Sequence, residues 1–133
     1  MKKQAAAPSK VAAVTTISLP VLNEGEHYAG IALNADGVPT HHLILLPGEL
    51  ESGTWNEAKG WAKKQGGELP TRQEQSLLFA NAKQHFESSW YWSGEKYASG
   101  SDSAWNQNFL NGFQISGHED SSDRARAVRR LPI

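Results

Sequence analysis

The sequence predicts one α+β domain in which two helices lie between two groups of β-strands. Two capping boxes, Thr54–Glu57 and Thr71–Glu74, mark the starts of two helices in the middle of the chain. Turn dipeptides lie on either side of these helices, at Asp36-Gly37 before them and at Asn111-Gly112 after them. Helices that are segregated in sequence from most of the strands are typical of an α+β architecture.

The composition excludes several classes of protein. At 133 residues the chain is long enough to bury a core, and it has no cysteine. Disulfide frameworks, thiol catalysis and thiolate zinc sites are therefore excluded, which fits a reducing compartment or a virion. The net charge of −1 gives no general attraction to nucleic acid. No apolar run is long enough to span a membrane or to form a signal peptide, so we expect no membrane partner.

The first 22 residues are predicted to stand apart from a domain that spans residues 23–133. Met1–Lys10 is small and polar, as in a mobile arm. Val11–Leu22 is β-branched and apolar, which is typical of an edge strand or of a segment that pairs with a neighbouring subunit. We therefore expect a homo-oligomer that depends on this segment.

The domain is predicted to begin with a hairpin. Tyr28–Leu33 is the first strand and Thr40–Leu46 the second, and the apolar run at the end of the second strand predicts burial on both faces. His41 and His42 point to opposite faces of a strand, so they cannot bind one ion, and a structural role is expected for each. Residues 47–53 are predicted to form a loop.

Two helices are predicted next. Trp55, Ala58 and Ala62 form one apolar face of the first helix, which ends at Gly66-Gly67. The second helix runs from Thr71 to about residue 85. Because the connection between the helices is short, we expect both of them to pack on one side of a sheet.

The remaining chain is predicted to be mostly β-strand. Trp90 and Trp92 lie on one face of the first late strand, and they are predicted to be core residues together with Phe109 and Val128. A two-residue turn at Asn111-Gly112 is predicted to join two further strands. The predicted late strands span residues 89–94, 104–110, 113–116 and 124–131.

The order of these pieces resembles the C-type lectin-like fold in its bacterial and phage forms. The segment TWNEAKGWAKKQGGELPT resembles the first helix and its connection, and LPTRQE resembles the start of the second helix in the formylglycine-generating-enzyme branch. The segments WYWSGEKY, AWNQNFLNG and RARAVRRL resemble the terminal strands of prophage domains related to the Legionella collagen-like protein C-terminal domain. The resemblance covers about residues 28–132 and implies neighbouring termini and a ligand face built from the late loops.

The chain lacks several features of these relatives. Animal lectins of this fold use disulfides, and their calcium-dependent sugar sites use Glu-Pro-Asn or Gln-Pro-Asp together with Trp-Asn-Asp, none of which occurs here. The oxidase branch requires cysteines to make formylglycine. Neither activity is therefore carried over from the resemblance.

A binding face is predicted on the late loops. In relatives diversified by retroelements, such positions are rich in Tyr, Ser, Asn and Asp, and the same residue types supply aromatic anchors and adaptable hydrogen bonds in binding loops. The residues that fit this chemistry are Tyr97, Ser99, Ser101, Asp102, Asn106, Asn108, Asn111 and Gln114.

No catalytic motif is found, so we expect no enzyme activity, no cofactor and no metal. An active site assembled from distant residues is a lesser alternative. The acidic segment Gly117–Asp123 is interpreted as a solvated turn, with a calcium site as the lesser alternative. Arg124–Arg130 carries four arginines, and local ion pairing with the preceding acidic residues explains them more simply than nucleic-acid binding does.

The first functional hypothesis is a non-enzymatic phage or prophage recognition module that binds a host protein or glycan, for example at a tail-fibre tip. The alternative is an intracellular phage-encoded effector that binds and inhibits a host protein. Single-stranded nucleic-acid binding through mixed aromatic and basic residues is a weaker alternative. The expected location is accordingly the virion or the host cytoplasm.

Overall fold

The computed structural model of the chain describes residues 16–133. The predicted arm Met1–Lys10 and the first part of the predicted segment Val11–Leu22 therefore lie outside the described residues. Its remaining part, residues 16–22, forms no strand, and Leu19 and Val21 expose their side chains to solvent.

The α+β prediction is confirmed for the described part of the chain. The two helices are α1 (Trp55–Lys64) and α2 (Arg72–Ala82), and a 3-10 turn, Lys83–His85, follows α2. The strands are β1 (His27–Leu33), β2 (Pro39–Leu45), β3 (Leu50–Gly53), β4 (Trp90–Lys96), β5 (Ser103–Asn108), β6 (Gln114–His118), β7 (Asp123–Ala125) and β8 (Val128–Pro132).

A three-stranded antiparallel sheet joins the two ends of the domain. Its strand order is β1-β2-β8, so the first and last strands flank β2. The predicted burial of β2 on both faces is confirmed, since Leu43, Ile44 and Leu45 are all fully buried. Because β1 and β8 both run antiparallel to β2, they run in the same direction on its two sides.

A five-stranded sheet has the order β3-β7-β4-β5-β6, with one parallel pairing between β4 and β7. Two predictions are wrong here. Strand β3 lies in the predicted loop 47–53. This segment has no clear apolar pattern, and it forms a strand because it pairs with β7. The predicted closing strand 124–131 is two strands, β7 and β8, which belong to different sheets.

Arg126 accompanies the change of sheet between β7 and β8. Its guanidinium donates hydrogen bonds to the carbonyl oxygens of His85 (2.6 Å) and Leu46 (2.7 Å), and the Leu46 N–H donates to the Ala127 carbonyl at 2.9 Å. These hydrogen bonds satisfy backbone groups that have no partner in a strand ladder near the point where the chain passes from one sheet to the other.

Both predicted capping boxes are present. The Thr54 hydroxyl accepts the Glu57 N–H while the Glu57 carboxylate accepts the Thr54 N–H, and Thr71 and Glu74 make the same reciprocal pair at α2. The predicted apolar face of α1 is also confirmed, because Trp55 is buried together with two alanines, Ala58 and Ala62. Each helix therefore begins where the local sequence pattern predicts.

The core consists of two clusters on opposite faces of β4. Trp92 packs with the buried face of α1, whereas its neighbour Tyr91 packs with α2 and Phe109. Because consecutive strand residues point to opposite faces, the helices lie on opposite faces of the strand, and the prediction that they share one side is wrong. Of the predicted core residues, Trp92, Phe109 and Val128 are buried, whereas Trp90 is only half-buried.

The predicted two-residue turn at Asn111-Gly112 is a longer connection. Residues 109–113 link β5 to β6, closed by hydrogen bonds from the Asn108 N–H to the Phe113 carbonyl (2.8 Å) and from the Gly112 N–H to the Asn108 carbonyl (2.7 Å). Phe109 turns inward to stack on Phe86, with 3.9 Å between ring centroids, which draws the loop over the core. Gly112 has the positive φ, +83°, that favours glycine.

Candidate functional site

Two late loops meet at one end of the five-stranded sheet. The 97–102 loop precedes β5 and the 119–122 loop follows β6, and the pairing of Ser103 with His118 brings both loops to the same end. The Glu119 N–H donates a hydrogen bond to the Asp102 carbonyl at 2.8 Å. We call this surface the late-loop end.

A cluster of three side chains, Arg72, Trp105 and Tyr97, lies at the late-loop end. The Arg72 guanidinium lies 3.5 Å from the centroid of the Trp105 ring, and the Tyr97 ring lies 5.1 Å from the same ring. Tyr97 is 49% exposed. Its ring therefore contacts Trp105 and leaves about half of the side chain accessible to solvent.

The late-loop end is tied to the start of α1. The Lys96 ammonium donates to the Glu119 carboxylate at 2.8 Å, and the Trp55 N–H donates to the Glu119 carbonyl at 3.0 Å. Beyond these contacts, His118 and Asp120 expose most of their side chains. The late-loop end thus combines backbone held in place by hydrogen bonds with polar side chains that are accessible to solvent.

Four of the predicted site residues lie in the 97–102 loop. Tyr97, Ser99 and Asp102 are exposed, as predicted for a binding face. Ser101 is half-buried, and its hydroxyl oxygen accepts the N–H groups of Ala98 (3.3 Å) and Ser103 (3.4 Å). Ser101 therefore shapes the loop and offers less to a ligand.

Two predicted site residues, Asn108 and Asn111, lie at the hairpin tip formed by residues 109–113 and its flanks. Their side-chain carbonyls accept the N–H groups of Leu110 (2.8 Å) and Phe113 (2.9 Å) respectively. Strand β5 separates this tip from the 97–102 loop by roughly 17–20 Å, the length of a six-residue strand. The structure thus divides the predicted single face between two ends of the strand.

The last two predicted site residues, Asn106 and Gln114, bind partners inside the molecule. Asn106 is buried, so its assignment to the binding face is wrong, whereas Gln114 is half-buried. Asn106 is buried opposite Trp92 in the β4–β5 pairing, and its amide donates to the Asp123 carboxylate at 2.8 Å. Burial raises the pKa of Asp123, and the hydrogen bond from Asn106 only partly offsets that effect. Because Asn106 is polar, the sequence gave no indication that its side chain is buried.

Gln114 joins the edge of the five-stranded sheet to α2. Its amide nitrogen donates to the Arg72 carbonyl and to the Gln107 side chain, both at 2.8 Å, and its amide oxygen accepts the Arg72 Nε–H at 2.9 Å. All of its strong hydrogen-bonding capacity is used inside the molecule, so Gln114 positions Arg72 beneath the Trp105 ring.

The hairpin tip carries an exposed apolar group whose members were not among the predicted site residues. Leu110, Phe113 and Ile115 all expose large side chains, and Phe113 is 65% exposed. Phe113 follows the turn glycine Gly112, and the sequence predicted that it begins the strand over residues 113–116. Exposed apolar groups of this kind mark interaction surfaces.

A hydrogen-bonded series of Thr40, His41 and Glu74 superficially has the order of a catalytic triad. The His41 ring lies 3.0 Å from the Thr40 hydroxyl and 2.7 Å from the Glu74 carboxylate. However, Thr40 donates its hydroxyl proton to the Ala32 carbonyl at 3.1 Å. The second histidine, His42, lies 2.7 Å from the Tyr28 hydroxyl, so each of the two histidines has a partner within the fold.

Three of the four arginines of the C-terminal segment form ion pairs, but not with the neighbouring acids that the sequence suggested, and Arg126 donates to backbone carbonyls instead. Arg124 pairs with Glu49, Arg129 with Glu26 at 2.9 Å, and Arg130 with Glu74 at 2.7 Å. The partners come from distant elements because β7 and β8 lie beside those elements in the fold. The prediction that these three arginines form ion pairs is confirmed, but the predicted partners are wrong.

The acidic segment Gly117–Asp123 gathers no complete ligand set. Among residues 16–133, no group of three or more histidine, aspartate or glutamate side chains is placed to hold a metal ion.

Neither of the helices in this part of the chain is long and apolar enough to cross a membrane. Comparison of the sequence with protein-family models and with curated proteins found no match.

Proposed function

We propose that this chain is a non-enzymatic phage or prophage recognition module with a C-type lectin-like fold. Two features of the fold support the family assignment. The first and last strands of the domain lie in the same three-stranded sheet, one on each side of β2. The second sheet carries the late loops, where the relatives form their ligand face.

The partner bound at the late-loop end is a host protein or glycan. The observation that carries this proposal is the half-exposed Tyr97 ring, which is fixed on Trp105 and surrounded by the exposed residues Ser99 and Asp102. A rigid aromatic ring gives contact area at little cost in conformational entropy, and short polar side chains adapt their hydrogen bonds to the partner. Single-stranded nucleic acid is the weaker partner, because carboxylates already match the charges of three of the four arginines in the C-terminal segment, Arg124, Arg129 and Arg130.

The exposed apolar group at the hairpin tip favours the second candidate function, an intracellular effector that inhibits a host protein. Leu110 and Phe113 form the kind of surface that another protein covers. Detection of the chain in purified virions would favour the recognition module, whereas co-purification with a cytosolic host protein would favour the effector.

Tyr97→Ala is expected to weaken partner binding by about 1–2 kcal/mol, because the variant loses an aromatic contact at the centre of the late-loop end. The melting temperature is expected to stay close to that of the unchanged protein, since the ring is half-exposed. Binding of the labelled protein to intact host cells, measured by flow cytometry, checks the first expectation, and a circular-dichroism melt checks the second.

Phe113→Ala is the matched control, because it removes an exposed aromatic ring at the other end of β5. We expect it to leave binding to host cells unchanged. If Phe113→Ala abolishes binding while Tyr97→Ala has no effect, the partner contacts the hairpin tip, and the proposed site is wrong.

We also propose that the chain forms a homo-oligomer through its N-terminal segment. The described part of that segment leaves Leu19 and Val21 exposed, with no strand partner among residues 16–133. Deletion of residues 1–22 is expected to convert the oligomer into a monomer, as measured by light scattering after gel filtration. An unchanged number of chains per particle would contradict an assembly role for this segment.

A further inference from the structure

A cleft lies between α1, the connection that leads into α2, and β8. It encloses about 330 Å³, and its lining includes Lys59 and Lys63 of α1, Leu69 of the connection and Arg130 of β8. Leu69 is almost fully buried and gives the cleft an apolar floor. A cleft of this size lies at the lower end of the range for small-molecule sites.

Arg130 is held rigidly at one wall of the cleft. Its guanidinium donates to the two carboxylate oxygens of Glu74 at 2.7 and 2.8 Å and to the Leu69 carbonyl at 3.2 Å. The remaining Nη1 group donates to the carboxylate of Glu68. Because Glu74 and Leu69 fix the guanidinium, its Nη1 group keeps its position when the carboxylate that it contacts is exchanged for another carboxylate or a phosphate.

The two lysines give the cleft its positive charge. The charge of Arg130 is offset by Glu74, but within residues 16–133 no carboxylate lies within 4.0 Å of the ammonium of either Lys59 or Lys63. The Lys59 ammonium lies 3.7 Å from the centroid of the Trp55 ring. Lysines four residues apart on a helix repel each other weakly, and an anion between them removes that repulsion.

Glu68 already places an anionic group in the cleft. Its side chain is 60% exposed, yet its carboxylate lies on the Arg130 guanidinium. An exposed ion pair of this kind contributes little to stability, so another anion can replace the carboxylate at small cost. Glu68 therefore indicates both the chemistry that the cleft accepts and the group that a ligand must displace.

We propose that this cleft binds a small organic anion, namely a carboxylate or phosphate monoester carried on an apolar body. The acidic group contacts Arg130 and the two lysines, and the apolar body rests on Leu69. The cleft shares no lining residue with the late-loop end, and the proposal does not depend on the function proposed for that surface.

The full-length protein, labelled with ¹⁵N, is titrated with phenyl phosphate, inorganic phosphate and phenol, and amide shifts are followed by NMR. We expect saturable shifts around Lys63, Leu69 and Arg130 with phenyl phosphate, several-fold weaker binding of inorganic phosphate and no saturable binding of phenol. The absence of saturable shifts with phenyl phosphate would overturn the proposal. Equal affinities for the two phosphates would also overturn it, because only surface charge would then be recognised.

Three variants test the residues of the cleft. Lys63→Gln is expected to weaken phenyl phosphate binding by up to about fivefold, the upper range for one exposed ion pair, and Glu68→Gln to strengthen it by a similar factor by removing the competing carboxylate. Lys64→Gln is the matched control, because Lys64 is the next residue of α1 but lines a different groove, beside Leu50 and Trp61. Equal weakening by Lys63→Gln and Lys64→Gln, or no gain in Glu68→Gln, would contradict the assigned contacts.

Discussion

Trp92→Ala is expected to lower the free energy of unfolding by about 3–5 kcal/mol, the usual cost of removing a fully buried aromatic side chain. The ring is completely inaccessible to solvent and packs between α1 and the five-stranded sheet. Its indole N–H donates to the Gly53 carbonyl at 2.9 Å, so the substitution also leaves a buried acceptor without its partner. Urea unfolding followed by circular dichroism measures the change.

Trp90→Ala is the control for this prediction. Trp90 lies two residues earlier on the same strand, but it is only half-buried, and a clearly smaller loss is expected. Equal losses in the two variants, or a loss below about 1 kcal/mol in Trp92→Ala, would contradict the packing of β4.

Glu74→Gln is expected to destabilise the protein by about 3–5 kcal/mol, because it removes the anionic partner of a partly buried arginine. The Glu74 side chain is only 1% exposed, and its carboxylate accepts hydrogen bonds from Arg130, His41 and the Thr71 N–H. Glu68→Gln is the matched control, since Glu68 pairs with the same arginine from an exposed position and should contribute at most about 1 kcal/mol. Similar losses in the two variants would contradict a special role for the buried carboxylate.

The effect of Glu74→Gln is expected to depend on pH. Burial alone would raise the pKa of Glu74, but the hydrogen bonds from Arg130 and Thr71, the charge of Arg130 and the hydrogen bond from His41 together lower that pKa. A carboxyl whose pKa is lower in the folded state stabilises the fold above its unfolded pKa and loses this contribution as the pH falls through the folded pKa. The difference in melting temperature between Glu74→Gln and the unchanged protein should therefore narrow on acidification.

The helices could be predicted well because their signals are local. A capping box places both hydrogen-bonding partners within four residues, so the sequence alone identifies the pair at Thr54 and the pair at Thr71. The run Leu43–Leu46 likewise predicts its own burial, since a continuous apolar segment has no polar face to expose.

Strand pairing could not be predicted in the same way. Strand β3 exists because β7 lies beside it, and β7 comes from a segment about seventy residues later in the chain. The separation of Arg124–Leu131 into two strands depends on carbonyl groups of Leu46 and His85 that only the folded chain brings near Arg126. Sequence periodicity describes one strand at a time and carries no information about such neighbours.

The exposure of the candidate site residues was predicted correctly only for those that lie in a polar loop. Tyr97, Ser99 and Asp102 lie in a polar loop and are exposed. Asn106 and Gln114 have the same chemistry, but the pairing of β5 with β4 directs Asn106 into the core, and a hydrogen bond to the Arg72 carbonyl holds Gln114 of β6 against α2. Residue type is therefore a poor guide to exposure within a strand whose partners are unknown.

The change of sheet between β7 and β8 has a consequence for the order in which the domain can form during synthesis. Strand β7 stands between β3 and β4, so β3 has no connection to its sheet until residues 123–125 exist. Strand β8, three residues further on, completes the other sheet beside β2. A ribosome must therefore have made almost the whole domain before either sheet can be completed. Until then β2 can pair with β1, but its other edge lacks β8, and an unpaired edge of an apolar strand is prone to aggregation.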